Sequence, residues 1–150
     1  MILQKMGRDI QGKPIGHLDL RRGIPAGVAL DNTTIWSIWK SENSWYIVTC
    51  NIASSEIQRV ELTGLDDYQL TMSPNGEYIA AYCNEVLDLR THLIILNGRT
   101  GEKLAANSWE SAPMATGEEI TAVQFSADGE MLAVTYSGGQ LRIFRRKQPH

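Results

Sequence analysis

Histidine, cysteine and phenylalanine are scarce in this chain, with three, two and two residues in 150. His17, His92 and His150 lie far apart and in no His-x-x-x-His spacing, so no short segment presents paired metal ligands, and no metal site is expected. Cys50 and Cys83 are too few for a disulfide framework and, sitting in apolar runs, read as reduced thiols. Long apolar runs are missing as well. No stretch approaches the roughly 20 apolar residues that cross a bilayer. The opening "MILQKMGRDI" has no apolar core of secretory length, so no membrane is expected and the expected compartment is the cytoplasm. The net charge is only -3, without the concentrated basic surface of nucleic-acid binders, so nucleic acid is not an expected partner. The single basic cluster, Arg145-Arg146-Lys147 in "RRKQPH", suits a solubilised end or a blunted sheet edge.

Helical periodicity is also absent. No segment carries apolar residues at a 3.6-residue spacing with caps at both ends. With 43% apolar and 21% charged residues the chain is nonetheless globular in composition, and its length suits one domain.

What the chain does contain is a repeat. Aligning "SPNGE" with "SADGE" puts Ser73 on Ser126, Gly76 on Gly129, Glu77 on Glu130, Ile79 on Leu132 and Ala80 on Ala133, all at an offset of 53. A weaker copy begins at "VALD" (28–31) and continues through "IWSIW". Short apolar runs recur from Ile2, around Ile47, from Leu93 and from Leu141, and a further element follows each of the first three: "GKPIGHLDL", "SEIQRVEL" and "GEKLAANSW". Each unit therefore reads as four short strands separated by turns, with Asn75-Gly76, Asp128-Gly129 and Gly138-Gly139 tolerating positive φ. The expected class is all-β. The runs "YIAAYC", "MLAVTY" and "LIIL" are apolar at consecutive positions, so both faces of each sheet must be covered. Radial stacking of four-stranded β-propeller blades satisfies that requirement.

"ITAVQFSADGEMLAVTYSGGQLRIF" and "YQLTMSPNGEYIAAY" resemble WD-repeat blades over about two thirds of the chain. The resemblance implies units at about 24–62, 67–109 and 119–145, the last completed by 13–20, and a scaffold without enzymatic activity. The Trp-Asp dipeptide of that family is absent, its place being taken by Leu96-Asn97 and Phe144-Arg145. Gly138 stands where the family has its turn aspartate. The blades are therefore expected to be held by packing and turn chemistry. Propellers carry 4 to 8 blades, so about three per chain leaves the ring to be closed by oligomerisation or by other chains. A homodimeric six-bladed ring sealed by exchanged edge strands is one form; a larger ring built with other chains or flanking sequence is the other.

"GRDIQGK" (7–13) has the spacing of a phosphate loop, but Pro14 removes both the required hydroxyl and an amide donor, so it reads as a turn. Asp66-Asp67 and Glu118-Glu119 are adjacent acids whose side chains diverge on extended backbone, and they make no acid–base pair. No catalytic, cofactor-binding or metal-binding residue is assigned, and no enzyme is expected. Trp36 and Trp39 should face opposite ways on one strand. Trp109, in "NSWESAPMATGEE", reads as a loop aromatic able to anchor a partner. With His17, Asp19, Arg21 and Arg22 it represents the connections between fourth and first strands; Glu42, Asn43, Asp88 and Arg90 represent the hairpins before third strands. The expected function is protein–protein interaction through these rim loops. The alternative is a structural subunit whose partner is itself, or the rest of its ring, through its edge strands. A propeller hydrolase is the third reading.

Overall fold

Turn chemistry divides the chain. Asn75 Oδ1 accepts from the Ser73 hydroxyl at 2.6 Å and the Glu77 N–H at 3.1 Å, and Ser73 Oγ accepts the Tyr78 N–H at 3.0 Å. Asp128 Oδ1 repeats this with Ser126 at 2.7 Å and Glu130 at 3.0 Å, and Ser126 Oγ accepts the Met131 N–H at 3.0 Å. Both turns need a left-handed residue, supplied by Gly76 at φ 72° and Gly129 at φ 74°. The computed structural model in which these bonds are seen describes residues 2–3, 14–16, 24–111 and 117–147.

Every described element is a strand. β1 (Ile2–Leu3) and β2 (Pro14–Gly16) pair with each other. β3 (Ile24–Leu30), β4 (Thr34–Ser41), β5 (Ser44–Asn51) and β6 (Ile57–Leu62) form a four-stranded antiparallel meander, the first blade. β7 (Gln69–Met72), β8 (Tyr78–Glu85), β9 (Arg90–Asn97) and β10 (Lys103–Glu110) form the second. β11 (Ile120–Phe125), β12 (Met131–Tyr136) and β13 (Leu141–Arg145) form a third of three strands. Of the segment expected to complete that last sheet, 13–20, the described part is β2, which pairs with β1.

The consecutive apolar residues of β8 show why the sheets stack. Ile79, Ala80 and Ala81 are all fully buried. Ile79 and Ala81 pack with Trp36, Ile38, Trp45 and Ile47 of the first blade, whereas Ala80 packs with Phe125, Leu132 and Val134 of the third. Alternation along a strand sends neighbours to opposite faces, so such a run is stable only between two other sheets. Trp36 and Trp39 divide in the same way, Trp36 facing the second blade.

Side-chain donors join one blade to the next. The Trp36 indole N–H donates to Gly76 O at 2.8 Å, that of Trp45 to Tyr68 O at 3.2 Å, and that of Trp109 to Glu118 O at 2.9 Å. Asn84 of β8 donates to Ile120 O at 2.8 Å and accepts the Ile120 N–H at 3.0 Å. Asn75 Nδ2 reaches Asp128 O at 2.8 Å, linking the two equivalent turns.

The two turns differ in one titratable group. The Glu130 N–H, followed by the Ser126 hydroxyl, holds the Asp128 carboxyl below its ordinary value of 3.8. A depressed folded pKa means the bond contributes fully above the unfolded value and is lost as pH falls through the folded one. Asn75 carries no such proton. Carboxyl NMR titration should find Asp128 ionising below 3.8, with the Glu130 amide shift following it and the Glu77 amide shift staying flat. A flat Glu130 amide would mean that this turn bond does not persist in solution.

Candidate interaction surfaces

In a meander, alternate connections fall at the same end of the sheet. The β4–β5 and β8–β9 hairpins therefore share a rim with connection 63–68 and with Ser111. Lys40 Nζ donates to Asp66 O at 3.1 Å, and the Ser111 N–H donates to Leu89 O at 2.8 Å. Glu42 and Asn43 form the first hairpin turn, Glu42 at φ 56°. Asp88 is exposed in the second hairpin, and Arg90 opens β9 with its guanidinium 3.2 Å from Ser108 Oγ. These four residues thus share one rim. His17, Asp19, Arg21 and Arg22 lie outside the described residues.

Trp109 is placed differently from the sequence reading. It lies within β10 rather than in a loop, half-buried against the third blade, with its ring 6.2 Å from that of Tyr136. The rim also carries an apolar tip that sequence reading missed: Val86 and Leu87 are 78% and 96% exposed, beside Leu89 at φ 51°. Its signal was present as two large apolar residues inside a turn. Inward of this tip the His92 ring stands 3.4 Å from the Glu85 carboxylate and 6.5 Å from the Tyr68 ring. Burial, followed by the Glu85 and Asp67 carboxylates, pushes the Cys83 thiol up, away from thiolate chemistry. Cys50 and Cys83 are both free thiols and half-buried. Among the described residues no three His, Cys, Asp or Glu side chains gather as a metal site requires.

A second surface lies at each end of the stack. Strand register makes Leu141 and Ile143 of the third blade the counterparts of Leu93 and Ile95 in the second, and Ala133 the counterpart of Ala80. In the second blade these residues pack under the third. In the third, Leu141 and Ile143 are 59% and 62% exposed. At the other end, Val28 and Leu30 of β3 correspond to Leu70 and Met72 of β7. Those counterparts are buried against the first blade, yet Val28 and Leu30 are themselves exposed. The two ends are therefore the two halves of the contact the chain already makes twice internally.

Antiparallel meanders stacked face to face through their inner strands define a protein of the β-propeller type. The structure is similar to that of an uncharacterised protein, lmo1340, from Listeria monocytogenes EGD-e, with TM-score 0.53 and 14% identity over 84% of this chain and 37% of that one. The β-propeller domain of the Trilobed protease from Pyrococcus furiosus gives 0.45 and 13% over 83% and 40%. The Dos1 propeller gives 0.48 and 11% over 81% and 30%. Identities this low speak of fold alone, and the chain spans two fifths or less of each of these structures. No protein-family model matches the sequence, and no curated protein matches it. Among the described residues no helix is long and apolar enough to cross a membrane.

Proposed function

We propose that the chain is a non-enzymatic, WD-repeat-like interaction module that binds through the end faces of its blade stack, and that the occupant of those faces is a second copy. The supporting observation is the exposure of Val28, Leu30, Leu141 and Ile143, whose counterparts in the second blade are covered by neighbouring blades. A first-blade face meeting a third-blade face is a head-to-tail contact, and such contacts form a ring when the rotation closes. Two chains would give six blades, within the usual range of 4 to 8.

Native mass spectrometry should show a dominant species of twice 16.7 kDa. Leu30→Asp, which buries a charge in the proposed contact, should convert it to a monomer with an unchanged circular dichroism spectrum. A wild-type chain that stays monomeric and fully folded at all concentrations would refute the assembly.

A second reading is favoured by Val86 and Leu87. Their exposure on the rim that carries Glu42, Asn43, Asp88 and Arg90 suits the capture of a different protein by loops, with an apolar anchor ringed by charge.

A further inference from the structure

The third blade has three strands, and β13 lies at the outside of the sheet. Two bonds fix which of its backbone groups are occupied. The Tyr136 N–H donates to Gln140 O, and the Arg146 N–H to Glu130 O. In an antiparallel ladder hydrogen-bonded pairs alternate, so the even-numbered residues of β13 bond inward to β12. Leu141, Ile143 and Arg145 turn their N–H and C=O groups outward, where no described strand pairs with them. Beside this edge runs a groove of about 550 Å³ between the second and third blades, at the radius that a fourth strand would occupy. Its walls include Ile95, Leu104 and Ala105 on one side and Phe125, Leu132 and Phe144 on the other. At one end stand Arg145, Arg146 and Lys147, against the single carboxylate of Glu130.

We propose that this edge and groove form a binding site for an extended acidic–apolar peptide of a partner protein, which adds to β13 as an antiparallel fourth strand. Side chains directly opposite in an antiparallel pair share a face. A peptide residue opposite Phe144 therefore points into the groove, toward Leu104 and Ala105. Two residues earlier, opposite Arg146, the peptide enters the cationic end, where a carboxylate is favoured. The recognised pattern is an acid followed two residues later by a large apolar side chain. Backbone bonding supplies affinity and the groove supplies selectivity, as in strand addition generally. The site uses the edge of β13 and its inner face, whereas the assembly proposed above uses the opposite face, so the two stand apart.

The test is fluorescence anisotropy with a labelled peptide Gly-Thr-Asp-Thr-Leu-Thr-Val-Gly. Binding should saturate, and should weaken by about tenfold or more when Lys replaces Asp or when alternate amides are N-methylated. Arg146→Glu, at an exposed position whose side chain lies over the Tyr78 ring on the groove face, should reverse the preference toward the Lys peptide. The Leu30→Asp chain should bind the Asp peptide as the wild type does, which separates this site from assembly. Failure to saturate at millimolar peptide, or equal binding of the three peptides, would overturn the proposal.

Discussion

Replacing Trp36 with alanine is expected to lower the unfolding free energy by about 3–5 kcal/mol, the usual range for a buried large aromatic. Trp36 is 2% exposed and reaches across the contact between the first and second blades. Its truncation leaves a cavity there and deprives Gly76 O of the indole N–H at 2.8 Å. The outer face of the ring also loses the Arg99 guanidinium, now 4.3 Å from its centroid and paired with Asp31 at 3.3 Å. Gly76 sharpens the test, because a β-carbon on it would overlap the indole. Gly76→Ala should therefore cost more in the wild type than in the Trp36→Ala chain, where only its positive φ remains, about 1–2 kcal/mol. Urea midpoints of the four chains give that coupling directly. Additive effects would show that the ring does not pack on Gly76.

Asn84→Leu is the other large effect, about 2–4 kcal/mol, because it leaves several polar groups at a blade contact without their partner. Asn84 holds both the N–H and the C=O of Ile120, and its Oδ1 also accepts the Thr91 hydroxyl at 2.8 Å. Thr91 is fully buried, and it touches Ser111 Oγ at 2.6 Å, so the loss spreads into the connection that leads to the third blade. Hydrogen exchange should then accelerate at Ile120 and through β11, while amides of β4 and β5 keep their protection. Uniform acceleration across all three sheets would mean that Asn84 stabilises the whole chain and not this junction.

Much of the fold could be read along the chain because the decisive interactions are local. The serine–Asn/Asp–glycine turns close within a few residues, so "SPNGE" and "SADGE" announce their hairpins, and the offset between them already aligns Ile79 with Leu132. Trp109 was harder to read. β10 is an outer strand, exposed at most of its positions, and a sequence such as "KLAANSWE" then carries no period that separates strand from loop. The rim likewise required the fold: Glu42 and Asp88 are ordinary turn residues until the meander brings their hairpins to one end, next to an exposed Val86-Leu87 tip.

Strand positions and the need to cover both faces were thus written in the amino acids alone, since β-alternation and turn geometry act over a handful of bonds. Which apolar residues stay uncovered was settled in three dimensions. Leu93 and Leu141 open equivalent strand runs, "LIIL" and "LRIF", yet one has a blade packed over it and the other does not. Burial depends on what lies across the sheet, and no short stretch of chain encodes its neighbour.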